Sequence, residues 1–409
     1  MVVRNKYTSS ELALFEPIDP VADETGTYYA AVEFKTDKGE TITKQLDIGK
    51  TLPAILRPAT MNKTLFIILS LLVFSCKDKD YGKEQKIFDR IEFVYNLKQT
   101  VGEKTWKTLN DKEYDLPLIY FTDTSSYIAN PTDKFLKTFK SDLEFQDRQI
   151  KIYKTKTRVD SFPFHMETGM TLGDPTDKYN YHSPFMMCSS YEETVRKIPS
   201  VSSMDEWTTM IMHEYFHGYQ YKHKPYMDYY EKEIVQIQPD SLIAIYKGNT
   251  WFKKSIDEEN QLLLKAINEK DSLNTRKLIA DFFSLRNKRR KEVLDKLKFD
   301  ISKYEKCYET MEGTARYVEY SLYNIFSTRR PDYKLAKSDT SFKSFDKFRS
   351  YNIKKDEWLY LTEKTTYFYA TGFNTARLLD KLKIEYKSRL FKEGKITMED
   401  ILFKKQNSR

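Results

Sequence analysis

The sequence predicts an α+β fold that is mainly helical, with a small sheet contributed by the first half of the chain. Beyond residue 200, apolar residues recur at three- and four-residue spacing over several long stretches, which is typical of helices. Before residue 200, short apolar runs lie between turn-forming residues, which is typical of strands. The chain has 409 residues, 40% of them hydrophobic, so it can bury a core and is not a disordered protein.

The first half is expected to contain one helix and the strands of the sheet. Residues 81–99 have the apolar spacing of a helix, whereas DLPLIYFTD (115–123) and SPFMMCSS (183–190) have the composition of strands. The segment SSYIANPTD (125–133) indicates a turn. Residues 160–183 hold most of the glycines and prolines of this half, and we therefore expect them to form a loop.

The second half is expected to be mainly helical. DEWTTMIMHEYFHGYQY (205–221) predicts a helix that is apolar on nearly all sides and therefore buried, with Asp205 near its start. Further helices are expected at 255–273, 275–297, 304–326 and 365–382. Residues 328–356 are polar and basic, so we expect an excursion from the core there.

Residues 61–76 read MNKTLFIILSLLVFSC, a short basic start followed by an apolar run and a cysteine. The run is too short to cross about 30 Å of hydrocarbon as a helix, but it has the length of a signal-peptide core. The segment resembles a bacterial lipoprotein signal. The resemblance implies that Cys76 is lipidated and anchors the protein to the membrane, with residues 77–84 as a tether. Because Lys77 follows the cysteine, the resemblance favours the outer membrane, facing the periplasm or the cell exterior. The alternative is a buried strand or a short helix.

Residues 1–60 precede this signal, although a secretory signal is normally N-terminal. They contain TYYAAVEF and TITKQLDI on either side of TDKGE, which predicts a β-hairpin. We hypothesise that Met61 is the true start and that residues 1–60 are an extraneous or mis-assigned extension.

The charge pattern does not indicate a nucleic-acid partner. The net charge of +8 comes from Lys and Arg interleaved with Asp and Glu, which is typical of a solvated surface. No basic helix, zinc finger or phosphate-binding glycine loop accompanies it.

The chain has three cysteines, and lipidation of Cys76 would leave Cys188 and Cys307. A disulfide between these two is one possibility in an oxidising compartment, but two cysteines do not establish it.

Two of the five histidines stand four residues apart in MHEYFHGYQY (212–221). On a helix, His213 and His217 face the same way and can both bind one metal ion. Zinc lowers the pKa of a water towards 7, and Glu214 lies close enough to accept a proton from it. The pattern is rare in a chain with so few histidines, which favours a zinc site over two histidines that only make hydrogen bonds in the core.

A catalytic zinc commonly has three protein ligands, so a third is needed. His223 stands six residues after His217, but Gly218 comes too early for the turn that such a spacing requires, and no turn-forming residue occupies positions 219–222. The better candidate is Glu312 in MEGTARYVEY (311–320). The small residues Gly313 and Ala315 would let this helix pack closely against the helix of the histidines.

The segments HEYFHGYQ and, far downstream, EGTARYVE resemble the gluzincin metallopeptidases of the thermolysin-like clan. The resemblance covers two short motifs. It implies a zincin-like fold with a buried H-E-x-x-H helix, bound zinc, peptide hydrolysis, and Glu312 as the third ligand. The catalytic domain would then comprise an N-terminal α/β part at 85–200 and a helical part with the zinc site at 201–409.

Several glutamates of the downstream helix remain alternatives. Glu305, Glu309, Glu312, Arg316 and Glu319 share one helical face, which is also the pattern of a surface salt-bridge stripe. Glu309 and Glu319 are candidates either for the third ligand or for partners that orient His213 or His217.

Other site residues are predicted with less support from the pattern. Tyr369, in YATGF, is the candidate donor to the developing oxyanion, followed by Tyr317, although core packing is the commoner role of a tyrosine. Gln220 lies one turn beyond His217, near the expected pocket. The segment PFMMCSS is either an edge strand that binds an extended substrate or an ordinary core strand.

Together these features predict a lipid-anchored zinc metallopeptidase that acts on a peptide or protein, with Glu214 as general base and then proton donor. Two other functions remain open. One is a binding lipoprotein that has the fold but cleaves nothing. The other is a zinc hydrolase of a non-peptide bond, because the same metal chemistry serves both.

Overall fold

The structure is a computed structural model, and it describes residues 21–22, 28–35, 41–49, 81–146, 150–172 and 181–407. The chain divides into two compact units, Met1–Asp80 and Tyr81–Arg409, which are considered separately. The predicted signal segment 61–76, including Cys76, lies outside the described residues.

The described part of the first unit is a three-stranded antiparallel sheet in the order β1-β2-β3. Its strands are β1 (Val21–Ala22), β2 (Tyr28–Lys35) and β3 (Thr41–Gly49). Strands β2 and β3 pair along their length, with Lys35 opposite Thr41. The hairpin predicted from the apolar runs on either side of TDKGE is therefore confirmed.

The second unit carries a six-stranded mixed sheet in the order β6-β7-β5-β4-β9-β8. The strands are β4 (Leu118–Phe121), β5 (Ser126–Ala129), β6 (Ser141–Gln146), β7 (Lys151–Thr155), β8 (Met166–Leu172) and β9 (Tyr181–Ser189). Strands β4 and β9 are parallel, and the other neighbours are antiparallel.

Helices make up most of the second unit, so the prediction of a mainly helical α+β fold is confirmed. In chain order they are α1 (Tyr81–Lys104), α2 (Asp133–Leu136), α3 (Tyr191–Lys197), α4 (Met204–Tyr221), α5 (Lys224–Tyr229), α6 (Pro239–Gly248), α7 (Thr250–Asn268), α8 (Ser272–Leu297), α9 (Ser302–Thr328), α10 (Tyr333–Ser338), α11 (Tyr367–Lys381) and α12 (Met398–Asn407). In the described part of the chain, none of them combines the length and the apolar character needed to cross a membrane.

Helix α4 is the central buried helix that the sequence predicts. Ser203 caps it, because its hydroxyl accepts a hydrogen bond from the backbone N–H of Glu206 at 3.3 Å. Along the helix, Trp207, Ile211 and Phe216 are completely buried. Since the helix is apolar on several sides, it packs against the sheet on one side and against other helices on the other.

The sheet separates a large core from a small one. On β4, Leu118 and Tyr120 belong to the large core shared with the helices, whereas Ile119 and Phe121 belong to the small core on the opposite face. This alternation follows from the two-residue period of a strand. Helix α4 lies on the large-core side, and it meets the sheet at β8 and β9.

Two expectations about loops were wrong. Strand β5 lies within the segment predicted as a turn, and β8 lies within residues 160–183, which were expected to form a loop. Gly169 suggested a loop, but in β8 it makes room for a neighbour, because a Cβ there would lie 2.4 Å from the Phe185 ring. The polar composition of β8 fits its place at the edge of the sheet.

The expected excursion at residues 328–356 is in part core, which corrects that prediction. Phe342, Phe345 and Phe348 are at most 5% exposed. The Phe345 ring stacks on Phe326 of α9 with centroids 4.4 Å apart. The segment as a whole has neither a helical nor a strand period. Only their packing in the structure therefore identifies these aromatic residues as core residues.

Three arginines of α8 and four glutamates form a buried ion cluster, here called the arginine cluster. Its members are Arg286, Arg289, Arg290, Glu259, Glu305, Glu309 and Glu399. Arg286 binds Glu309 through two hydrogen bonds of 2.7 Å, and Arg289 binds Glu305 at 2.9 and 3.0 Å. The cluster joins α7, α8, α9 and α12, because each of these helices supplies at least one member.

Candidate metal centre

His213 and His217 project from one face of α4 towards α9. Both imidazoles are nearly buried, with 9% and 6% of each residue exposed. Their ring centroids are 5.0 Å apart, as expected for residues one helical turn apart. The pair can therefore approach a single point between the two helices.

The Glu312 carboxylate of α9 converges on this pair. Its Oε2 atom lies 3.2 Å from Nε2 of His217 and 3.6 Å from Nε2 of His213. Ligand atoms at about 2.0–2.1 Å from a tetrahedral metal are roughly 3.3 Å apart, close to both distances. Glu312 is 7% exposed, which excludes the surface salt-bridge stripe that its helical pattern also allowed.

Oε2 of Glu312 is buried and has no hydrogen-bond partner of its own. Buried carboxylate oxygens without a partner are costly, and the two nearby Nε2 atoms do not meet this one in hydrogen-bonding geometry. Three donor atoms that converge without bonding to one another fit a metal ion. The residues present can therefore hold a metal.

Gln220 orients His217. The Nδ1–H of His217 donates to Oε1 of Gln220 at 2.9 Å, which leaves Nε2 with its lone pair directed towards Glu312. The Gln220 amide in turn donates to the Met311 carbonyl at 2.8 Å and to the Thr314 hydroxyl at 2.9 Å. Because Met311 and Thr314 flank Glu312, Gln220 sets the register of α4 against α9 at the site.

Glu319 lies on the corresponding side of His213, at ion-pair distance and without a hydrogen bond. Its Oε2 lies 3.5 Å from Nδ1 of His213, and its other oxygen accepts a hydrogen bond from the Tyr323 hydroxyl at 2.8 Å. Each histidine therefore presents Nε2 to Glu312 while a different polar side chain faces Nδ1, Gln220 for His217 and Glu319 for His213.

The field of the site favours positive charge. Burial would lower the pKa of His213, but Glu312 and Glu319 outweigh it and raise that pKa to about 10. For Glu312, burial would raise the pKa, but the charge of His217 and contacts with both imidazoles lower it well below its usual range. Because the surrounding carboxylates favour the charged form of both imidazoles, the site is electrostatically suited to a cation.

Glu214 lies beside the histidines, and its carboxylate and their ring nitrogens come within 4.8 Å of one another. Burial raises the pKa of Glu214, in the direction that suits a general base. Its backbone carbonyl accepts a hydrogen bond from the Thr168 hydroxyl of β8. Thr168 therefore ties the edge of the sheet to the site, which the sequence did not indicate because β8 was expected to be loop.

Tyr369 reaches the site because α9 and α11 cross very closely. A Cβ on Gly372 would lie 2.0 Å from the Glu309 carbonyl, and one on Gly313 would lie 2.3 Å from the Gly372 backbone. The Tyr369 ring stacks on His213 with centroids 6.1 Å apart. Gly313 thus serves the contact with α11, and not the contact with the histidine helix for which it was predicted.

Burial, followed by the charge of Glu312, raises the pKa of the Tyr369 phenol well above its usual range. The phenol is therefore protonated at neutral pH and can donate a hydrogen bond. The other tyrosine candidate is elsewhere, because the Tyr317 hydroxyl donates to Asp380.

Two other candidates are also placed away from the site. Glu309 belongs to the arginine cluster and accepts a further hydrogen bond from Thr371 at 2.6 Å, so it orients no histidine. His223 stacks on Tyr114 with centroids 4.4 Å apart, and its Nδ1 bonds the Tyr219 carbonyl. It lies beyond the end of α4, at the start of α5, where its ring enters aromatic packing.

The strand beside the site is β8, and not the segment PFMMCSS. That segment is part of β9, which lies between β4 and β8 and is therefore an interior strand. The prediction of an ordinary core strand is therefore confirmed, and the prediction of a substrate-binding edge strand is wrong for this segment. Cys188 of β9 and Cys307 of α9 are both buried and free, so they do not form the disulfide considered above.

No protein-family model matches the chain, and comparisons with curated proteins and with solved structures found no significant match.

Proposed function

We propose that the protein is a zinc metallopeptidase of the gluzincin type. The observation that carries the proposal is the convergence of two imidazole Nε2 atoms and one buried, unpartnered Glu312 oxygen. Two histidines and one carboxylate form a donor set that zinc uses in catalytic sites, with a further position left for water or substrate.

Zinc bound by His213, His217 and Glu312 would act as a Lewis acid, polarising the carbonyl and lowering the pKa of the attacking water. Glu214 is the general base. Its carboxylate accepts a proton from the water as the water attacks, and it then gives this proton to the amine that leaves. The raised pKa of Glu214 supports both steps.

Tyr369 is the donor to the carbonyl oxygen. As the water attacks, negative charge develops on that oxygen, and a protonated phenol already held beside the site can stabilise it. The contact of Tyr369 with His213 supports this role, because it keeps the ring next to the ligands.

An extended peptide is the substrate that the surroundings favour. Within the described residues, β8 pairs only with β9 and leaves its other side free of strands. Thr168 of β8 contacts Glu214, so a peptide paired with this edge would pass next to the general base. A peptide substrate is therefore favoured over a substrate with a non-peptide bond. The presence of Glu214 as a general base favours a catalytic site over a site that only binds.

The location is proposed from the sequence of residues 61–76. The apolar run from Leu65 to Phe74, followed by Ser75 and Cys76, supports a lipid-anchored protein at the outer membrane, periplasmic or surface-exposed.

The substitution Glu214→Gln tests the mechanism. We expect kcat for a peptide to fall by roughly 100- to 10,000-fold, because the base is lost, while zinc content is unchanged. The matched control is Glu206→Gln, which changes a glutamate in the first turn of the same helix, where it pairs with Lys347. Full turnover in Glu214→Gln, or wild-type activity that survives removal of the metal by a chelator, contradicts the proposal.

A further inference from the structure

Arg316 is an unusual buried arginine at the wall of the candidate site. It lies one helical turn beyond Glu312 on α9 and is only 5% exposed. Its guanidinium carbon lies 4.6 Å from the centroid of Tyr369 and 5.0 Å from that of Trp358. The cation is therefore held between two aromatic rings, one of which belongs to the site.

The guanidinium of Arg316 makes no direct ion pair with a carboxylate. Among the described residues, its hydrogen bonds go to backbone carbonyls and a hydroxyl, and the charges of Glu319 and Glu312 act on it only from beyond ion-pair distance. One terminal nitrogen donates to the Trp358 carbonyl at 3.0 Å and the other to the Thr365 hydroxyl at 3.2 Å. Its Nε is buried without a partner.

This arrangement is costly for a residue that only fills space. A buried charge is normally paired, and the arginines of the arginine cluster each bind at least two glutamates. An apolar side chain of similar length would fill the gap between Trp358 and Tyr369 without that cost. The charge itself therefore calls for an explanation.

We infer that Arg316 is a positioning residue that acts through Tyr369, holding the ring against His213 and placing a fixed positive charge behind the phenol. The inference rests on the proposed peptidase function. Arg316, the Tyr369 ring and the His213 ring follow one another at 4.6 Å and 6.1 Å, with the two rings within 10° of parallel.

The chemistry explains why such a charge helps. The carbonyl oxygen that accepts a hydrogen bond from Tyr369 becomes negative only as the water attacks. A fixed cation in a buried site stabilises that negative charge without reorganising, and it has little effect on the neutral bound carbonyl. Removing the charge should therefore lower kcat and leave KM nearly unchanged.

The test compares Arg316→Met, which removes the charge, with Arg316→Lys, which retains it, in the full-length zinc-loaded protein. We expect Arg316→Met to lower kcat by about tenfold or more, with KM changed by less than about threefold, and Arg316→Lys to recover part of the loss. In a Tyr369→Phe background, Arg316→Met should have almost no further effect, because the group through which it acts is gone.

The matched control is Arg377→Met, which removes an arginine packed 5.4 Å from the centroid of Phe373 on α11. This variant should keep the wild-type kcat. Zinc content and melting temperature are measured for every variant. If Arg316→Met does not fold, the test is made with Arg316→Lys alone, once with Tyr369 and once with Tyr369→Phe.

The outcomes separate the two proposals. If wild type and Arg377→Met are active but the loss from Arg316→Met is the same with and without the Tyr369 hydroxyl, the positioning role is wrong and the peptidase stands. The same holds if Arg316→Lys and Arg316→Met are equally impaired. If wild type loaded with zinc shows no chelator-sensitive peptidase activity, the proposed function fails, and the positioning role fails with it.

Discussion

Two buried clusters of charge lie along one helix, and they differ in whether their carboxylates are matched by arginine partners. In the arginine cluster, four glutamates face three arginines at hydrogen-bonding distances of 2.5–3.0 Å. In the candidate metal centre, Glu214, Glu312 and Glu319 have no Lys or Arg ion-pair partner among the described residues. Every glutamate of the first cluster is paired with an arginine, whereas the second contains a buried Glu312 oxygen without a hydrogen-bond partner.

One face of α9 therefore contributes to two different clusters, one near the start of the helix and one further along it. Glu305 and Glu309 meet arginines of α8, while Glu312 and Glu319, further along α9, meet histidines of α4. Matched buried ions hold helices together, and an unmatched set is suited to a bound cation.

Removing the unmatched carboxylate should have the largest effect on metal binding. We expect Glu312→Gln to lower zinc affinity by more than about 100-fold and to abolish turnover, since residues that only orient a ligand already contribute about 10- to 100-fold. Metal content by elemental analysis checks this, beside His217→Ala. Full zinc occupancy in both variants would refute the site and remove the contrast between the clusters.

Breaking the matched cluster should instead destabilise the fold. We expect Arg289→Met to lower the free energy of unfolding by roughly 3–5 kcal/mol, because Glu259 and Glu305 lose a buried partner. Denaturant unfolding of the variant measures this, and the folded fraction should still bind zinc with wild-type affinity. A variant of normal stability that loses zinc would reverse the roles assigned to the two clusters.

The smallest effect on zinc binding is expected for Gln220, which links His217 of α4 to the backbone of α9. Gln220→Ala removes the acceptor of His217 Nδ1 and the bonds to Met311 and Thr314, so zinc affinity should fall by about 10- to 100-fold. Competition with a chromogenic chelator measures it. The control Gln236→Ala removes an exposed amide, and equal affinities in the two variants would show that Gln220 does not orient the ligand.

Much of the framework was predictable from local pattern. The central helix, the four later helices and the β-hairpin follow from apolar periods of 3.6 and 2 residues, which burial of one face imposes. The predictions that were wrong concern segments whose structure depends on their neighbours in the fold. Strand β8 looked like a loop because an edge strand tolerates polar residues and glycine, and Phe345 looked peripheral because its segment has no period.

The sequence alone determined which residue types could form a metal centre. A helix places His213 and His217 on one face by its own geometry, and Glu214 follows from adjacency. Only the tertiary structure distinguished Glu312 from Glu309, because both lie on the same helical face and differ only in whether α4 or α8 packs against them. It likewise decided the places of His223, Tyr317, Tyr369 and Arg316, since contacts between distant segments have no signature in local spacing.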